Sequence, residues 1–95
     1  MNIVPDKRVL KDIDKLPQYI KLMAADELEK LKAASNLNEL GNVIPMKGTE
    51  EPYYRLKFSD YRFMLYHDGE NDTVEVISLT HRKDTYKKQN LPWRR

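Results

Sequence analysis

The spacing of apolar residues changes from a helical period to a strand period along the chain. Between Asp6 and Pro17, and again between Ile20 and Leu31, apolar residues recur at steps of three or four among charged ones. Such spacing gathers apolar side chains on one face of a helix. Asp6 is a suitable N-cap, and Pro17 suits the first turn of a second helix. We therefore predict two amphipathic helices that pair as a hairpin.

The second half of the chain has the period of β-strands. Three runs have strand composition, at residues 53–58, 61–67 and 73–79, and the short polar separators between them suit antiparallel hairpins. Simple alternation places Ser78 with Val74 and Val76 on one face of the last run. Ile77 and Leu79 then lie on the other face. A run that is apolar on most of both faces is expected to be central or covered by a helix.

Two further strand candidates are shorter. Residues 43–47 form either a short strand or an extended approach to one. Residues 3–4 begin a first strand, but Pro5 lacks the N–H that would continue it, so the sheet either loses this strand or begins irregularly. Helices followed by a strand meander predict an α+β fold. We expect one domain over residues 1–95, in which the helical hairpin packs on a small, mostly antiparallel sheet, with a short C-terminal helix or tail around residues 84–89.

Composition restricts the classes of protein to which the chain can belong. Of its 95 residues, 40% are hydrophobic and 34% are charged, which suits one folded, soluble domain. The chain has no cysteine, which excludes disulfides, thiolate nucleophiles and cysteine-ligated zinc. The first residues lack the apolar core of a signal peptide, and no run is long enough to cross a bilayer. We therefore expect a cytoplasmic protein without a membrane partner.

The positive charge is concentrated near the C-terminus, although the net charge is only +2. From His81 onward, six lysines and arginines accompany one acidic residue, Asp84. This asymmetry predicts an anion-binding surface, with nucleic acid as the leading candidate and a solvated tail as the alternative. Lys83, Lys87 and Lys88 are the candidate RNA-binding residues of this segment.

Motifs for metal or nucleophilic catalysis are missing. His67 and His81 lie on separate predicted elements without a carboxylate cluster, so we expect neither a metal nor another cofactor. No nucleophile elbow surrounds Ser59, and the three glycines are isolated, which disfavours a serine hydrolase and a phosphate-binding loop.

A group of cations on the predicted strands is the remaining candidate for chemistry. Arg55 and Lys57 share one face of their strand, and pairing with the next strand would bring Arg62 beside them. Clustered cations repel one another unless an anion is bound, and arginine suits phosphate oxygens. The alternative is an ordinary solvated strand face. We expect the strand aromatics to be packing residues rather than platforms for bases: Tyr54, Phe58, Phe63 and Tyr66.

Three short motifs together resemble the RelE/ParE superfamily of toxins from bacterial type II toxin–antitoxin modules: YRLK at residues 54–57, DYR at 60–62 and HRKDTY at 81–86. The order of elements agrees across nearly the whole chain. In the RelE-like branch, the resemblance implies an mRNA interferase, a metal-independent endoribonuclease that cuts mRNA in the ribosomal A site. The ribose 2′-OH attacks the adjacent phosphate and leaves a 2′,3′-cyclic phosphate and a 5′-OH. ParE-like members instead inhibit DNA gyrase on the same fold, and an inert RNA- or protein-binding module is a third possibility.

The resemblance also implies partners and a residue set. The partners are a cognate antitoxin, in a toxin–antitoxin hetero-oligomer, together with mRNA and ribosomal RNA. Lys57 is the candidate general base, because neighbouring cations favour the uncharged amine. Arg62 would hold the non-bridging oxygens, Arg82 would stabilise or protonate the leaving oxygen, and Tyr86 would stack on a base. The full candidate catalytic set is Arg55, Lys57, Arg62, Arg82, Tyr86 and His81, the last as a second proton-transfer group.

Overall fold

The computed structural model describes residues 1–85, 87 and 90–94, and it contains two helices on one face of a five-stranded sheet. The elements in chain order are β1 (Asn2–Pro5), α1 (Lys7–Asp14), α2 (Gln18–Ala33), β2 (Val43–Pro45), β3 (Tyr53–Phe58), β4 (Tyr61–Asp68) and β5 (Thr73–His81). The strands lie in the order β1-β5-β4-β3-β2, with β1 parallel to β5 and every other pair antiparallel. The predicted α+β fold with a mostly antiparallel sheet is confirmed.

The helices form where the apolar spacing predicts them. The Asp6 carboxylate caps α1 by accepting a hydrogen bond from the Arg8 backbone N–H at 2.8 Å. Pro17 directly precedes α2 as its N-cap residue. The helices contact each other, and they also contact β1, β3 and β5. The predicted apolar stripe of α2 is buried against the sheet through Ile20, Ala24 and Leu31.

The first strand forms in spite of its proline. Pro5 is the last residue of β1, and the next residue, Asp6, donates its backbone N–H to the Val76 carbonyl oxygen at 2.9 Å. Because β1 is an edge strand, the missing N–H of Pro5 leaves no neighbouring strand unpaired. The other edge strand, β2, also ends in a proline, Pro45. Proline on both edges limits pairing with further strands.

A β-bulge interrupts the pairing of β4 with β5. Met64 lies opposite Ser78, but the next residue of β4, Leu65, lies opposite Val76. Ile77 is therefore an extra residue on β5, and the alternation of its side chains changes phase at this point.

The bulge corrects the predicted faces of β5. Leu79 lies opposite Phe63 and packs against the main core together with Val74 and Val76. Ser78 lies on the other face of the sheet, opposite Met64. The prediction that grouped Ser78 with the two valines was wrong, because strict alternation assumes that no residue is inserted.

Two apolar clusters lie on opposite faces of the sheet. The main core fills the space between the helices and the sheet, and it includes the buried rings of Phe58 and Phe63, whose centroids are 4.9 Å apart. The smaller cluster covers part of the opposite face and contains Met46, Met64 and Leu91, with Tyr53 and Trp93 packed against it. The C-terminal segment, which ends in a 3₁₀ turn at Pro92–Arg94, therefore covers part of the face that the helices leave open.

The predicted C-terminal helix includes residues 86, 88 and 89, which lie outside the described residues. Hydrogen bonds of the i to i+3 type join Lys87 to Asp84 and Asn90 to Lys87 within this stretch. None of the helices in the described ranges combines the length and apolar character that a membrane crossing requires.

The bulge predicts different stability effects at two neighbouring positions. Leu79→Ala should lower the free energy of unfolding by about 2 kcal/mol, because it removes apolar contacts with the main core. Ser78→Ala should change it by less than about 0.5 kcal/mol. Urea denaturation of both variants measures the difference. If Ser78→Ala lowered the free energy of unfolding more than Leu79→Ala does, the result would contradict the bulge and support a register without it.

Candidate functional site

The register of β3 and β4 brings three of the candidate cations together. Lys57 lies directly opposite Arg62, and Arg55 lies two residues earlier on the same face, opposite Met64. Side chains that face each other across an antiparallel pair have Cβ atoms about 5 Å apart. The alternate residues of β3, such as Leu56, are buried in the main core on the helix side. We call Arg55, Lys57 and Arg62 the cation group.

Arg62 is held at the end of the β3–β4 hairpin. Its Nη1 atom donates hydrogen bonds to the carbonyl oxygens of Ser59 at 3.1 Å and of Tyr61 at 2.8 Å. A guanidinium group has five N–H donors in a fixed plane, so two bonds from one nitrogen orient the whole group. The guanidinium of Arg62 is thereby fixed beside the tight turn.

The same turn also holds Arg82. The Arg82 backbone N–H donates to the Asp60 carbonyl oxygen at 2.7 Å, and its Nε lies 3.5 Å from the Asp60 carboxylate. Both side chains are more than half exposed, so this ion pair contributes little to stability. The backbone hydrogen bond to Asp60 keeps Arg82 at the end of the hairpin that carries Lys57 and Arg62.

The turn itself adopts a backbone conformation that is uncommon for a side-chain-bearing residue. Ser59 has a φ angle of 51°, in the left-handed region that favours glycine. Ser59 and Asp60 are the only residues between the two strands. The turn therefore sets the close pairing of Lys57 with Arg62.

His81 lies apart from the cation group. It is the register partner of Tyr61, and the two rings meet edge to face with centroids 5.5 Å apart. Tyr61 packs against the main core, so His81 lies on the helix side of the sheet, opposite to the face that carries Lys57. The His81 Nδ1 atom accepts a hydrogen bond from the Lys83 backbone N–H at 3.2 Å. The structure therefore does not bring this second proton-transfer candidate to the cations.

The basic segment after β5 is partly neutralised by its own acid. Lys87 Nζ lies 2.7 Å from Asp84 Oδ1, and this hydrogen bond holds the pKa of the Asp84 carboxyl below its usual range. Lys83 is exposed, and no ion pair links it to an acid among the described residues. Two of the predicted site residues, Tyr86 and Lys88, lie outside the described part of the chain.

The described residues offer no metal site. Nowhere in the described ranges do three or more histidine, aspartate or glutamate side chains form a group that could hold a metal ion. The chemistry that the cation group supports is the binding of an anion and the stabilisation of negative charge.

Sequence reasoning missed two features near the site. Asp60, which holds Arg82, was identified only as part of a motif. The packing of Trp93 was not predicted either: its ring packs on Tyr53 with centroids 5.0 Å apart. Two apolar residues, Leu91 and Trp93, within a basic segment are the signal that would have predicted this packing.

Comparisons with known proteins agree on one family. The family model for the ParE toxin of the type II toxin–antitoxin system parDE matches residues 3–86. The RelE–RelB complex from Pyrococcus horikoshii OT3 superposes with a TM-score of 0.72 at 22% identity, covering 85% of this chain and 93% of that chain. The RelB–RelE antitoxin–toxin complex from Methanococcus jannaschii gives a TM-score of 0.70 at 26% identity, covering 88% and 95%.

A third solved relative is the YoeB/ParE toxin from Agrobacterium tumefaciens, with a TM-score of 0.64 at 20% identity over 85% of this chain and 98% of that chain. No curated protein sequence matches the chain significantly. The structural matches below 25% identity establish the shared fold, and the family model carries the relationship in sequence.

The left-handed conformation of Ser59 predicts a stability difference between two substitutions. Ser59→Gly should raise the free energy of unfolding by about 0.5 kcal/mol, because glycine adopts this conformation without a Cβ clash. Ser59→Val should lower it by about 1 kcal/mol or more, because a β-branched residue is strained there. Chemical denaturation measures both. Equal stabilities of the two variants would contradict the observed turn geometry.

Proposed function

Because the chain belongs to the RelE/ParE superfamily of type II toxin–antitoxin toxins, we propose that it is a ribosome-dependent mRNA endonuclease of the RelE-like branch. The observation that carries the proposal is the cation group, in which Lys57 and Arg62 face each other across two strands and Arg55 lies beside them. Three cations on one face of the sheet suit a phosphate of RNA in the cytoplasm, where ribosomes translate.

The proposed reaction is transesterification within the mRNA. A base removes the proton of the ribose 2′-OH, the oxygen attacks the adjacent phosphorus, and the bond to the 5′-oxygen of the next nucleotide breaks. The products are a 2′,3′-cyclic phosphate and a 5′-OH, so the leaving oxygen must receive a proton. No metal is required, because cationic side chains stabilise the charge of the pentacoordinate intermediate.

The geometry supports distinct roles for Lys57 and Arg62 of the cation group and for Arg82. Lys57 is exposed and central, which suits contact with the 2′-OH as general base. Arg62, oriented by its two bonds to the turn, suits the non-bridging oxygens. Arg82, held by Asp60 at the end of the hairpin, suits the leaving oxygen. The stacking role of Tyr86 stays a prediction, since that residue lies outside the described ranges.

A cognate antitoxin is the proposed protein partner. The Pyrococcus and Methanococcus relatives are toxins in complex with antitoxins, which supports the same assembly for this chain. The outer face of α2 exposes Tyr19, Leu22 and Met23 at the i, i+3 and i+4 positions that a partner helix contacts. The basic sheet face is the alternative docking surface. Either would place toxin and antitoxin in one hetero-oligomer.

Inhibition of DNA gyrase is the second candidate function. The matching family model is that of ParE toxins, and the same fold serves both activities. A gyrase inhibitor has no chemical need for the combination of Arg55, Lys57, Arg62 and Arg82 around one possible phosphate. This combination is what favours the nuclease.

Induction of the toxin without an antitoxin separates the two functions. We expect new mRNA 5′ ends in phase with codons on ribosome-bound message, and unchanged supercoiling of a reporter plasmid, because the cations act on RNA. Mapping of 5′ ends and a plasmid-topology gel from the same cultures measure both. Intact message together with relaxed plasmid would refute the nuclease and support gyrase inhibition.

Arg62→Ala and Arg82→Ala should each lower the single-turnover cleavage rate on programmed ribosomes by about 100-fold, because each removes charge stabilisation in the transition state. Both variants should keep the free energy of unfolding within about 1 kcal/mol, since Arg82 is exposed and Arg62 is at a hairpin end. Lys11→Ala, which removes an exposed cation from α1, is the matched control and should cleave normally. If either arginine variant unfolds instead, that arginine is a packing residue.

A further inference from the structure

A single residue just before β2 forms hydrogen bonds to the edge of β3 at Lys57. β2 begins at Val43, which pairs with Leu56. The pairing of β2 with β3 therefore stops one residue short of Lys57. Asn42 fills the gap: its carbonyl oxygen accepts the Lys57 backbone N–H at 2.9 Å, and its side-chain Nδ2 donates to the Lys57 carbonyl oxygen at 2.9 Å. One asparagine thus bonds both backbone polar groups of the candidate base.

A hydrogen bond to helix α2 holds the Asn42 side chain. Its Nδ2 also donates to Glu27 Oε2 on α2 at 3.0 Å, and the Glu27 side chain is only 14% exposed. Reversal of the amide would place Oδ1 against a carboxylate and a carbonyl oxygen, which are both acceptors. The two acceptors therefore define the orientation of the amide. Glu27, Asn42 and the Lys57 backbone form a continuous chain of hydrogen bonds from the helix side to the strand that carries the cation group.

We propose that Asn42, braced by Glu27, is a positioning residue that fixes the Lys57 backbone and thereby the direction of the Lys57 side chain toward the phosphate. The inference deepens the proposed nuclease function and rests on it. Asn42 does not contact the reacting atoms in this arrangement. It acts through Lys57.

The geometry of an antiparallel ladder explains why Lys57 needs this support. The N–H and C=O groups of one residue point to the same side of its strand, and those of Lys57 point toward β2. The pairing with β4 therefore does not hold these two groups, and β3 ends one residue later at Phe58, just before the turn. A strand end whose edge groups bond to water opens locally more often than a paired one. A displacement of about 1 Å at a reacting group is enough to cost about 100-fold in rate.

The test compares two asparagines of the same connection. Asn42→Asp keeps the shape of the side chain but removes both donors, and Asn42→Ala removes the side chain without adding charge. Asn38→Asp, at an exposed position of the 3₁₀ turn Leu37–Glu39, is the control for the charge change. Single-turnover cleavage of mRNA on programmed ribosomes is measured over a range of toxin concentrations, together with thermal unfolding and amide hydrogen exchange at Lys57.

We expect both Asn42 variants to lower the maximal cleavage rate by about tenfold or more, with less than about a twofold change in the half-saturating toxin concentration. Exchange at the Lys57 amide should become faster, the melting temperature should stay close to that of the unaltered protein, and Asn38→Asp should behave normally. An unchanged maximal rate would overturn the inference alone. A rate loss that follows global unfolding or weaker ribosome binding would assign Asn42 to stability and overturn it as well. Absence of cleavage by the unaltered protein would instead overturn the proposed function, and this inference with it.

Discussion

The antiparallel pairing of β3 with β4 is the constraint on which the site depends. Its register places Leu56 opposite Phe63 on one face and Lys57 opposite Arg62 on the other. Burial of the first pair in the main core holds the second pair in place, because a slip of one residue would exchange the two faces. The apolar face thus provides the free energy that keeps like charges side by side. The two-residue turn at Ser59 and Asp60 sets this register.

The face that carries the cations is also an internal packing surface. Met64 lies on this face opposite Arg55, and it forms a small apolar cluster with Met46 and Leu91. Trp93 extends this cluster by packing on Tyr53. A ligand of the cation group would therefore also lie close to this cluster of methionine, leucine and aromatic side chains. The cluster also ties the C-terminal segment to the strands that hold the site.

Function within this superfamily follows from residues rather than from the fold. The RelE and YoeB/ParE relatives share the architecture at TM-scores of 0.64 to 0.72, so the fold by itself does not decide which activity this chain has. The nuclease proposal therefore rests on the cation group, whose arginines and lysine suit a phosphate. The structure also places His81 on the helix side of the sheet, away from that cluster, and our proposal assigns the role of base to Lys57.

The sequence by itself determined the two helices, the three long strands and the shared face of Arg55 and Lys57, because periods of 3.6 and 2 arise from local backbone geometry. It left the two short edge strands open, and the tertiary structure decided both. The sequence identified Arg62 and Arg82 through short motifs, but not what holds them. The tertiary structure decided the inserted residue at Ile77, the helix-side position of His81 and the packing of Trp93. It also decided the bonds of Asn42 to Lys57 and Glu27, whose partners lie 15 residues away on either side. Register and long-range hydrogen bonds depend on residues far apart in the chain, and local periodicity contains no information about them.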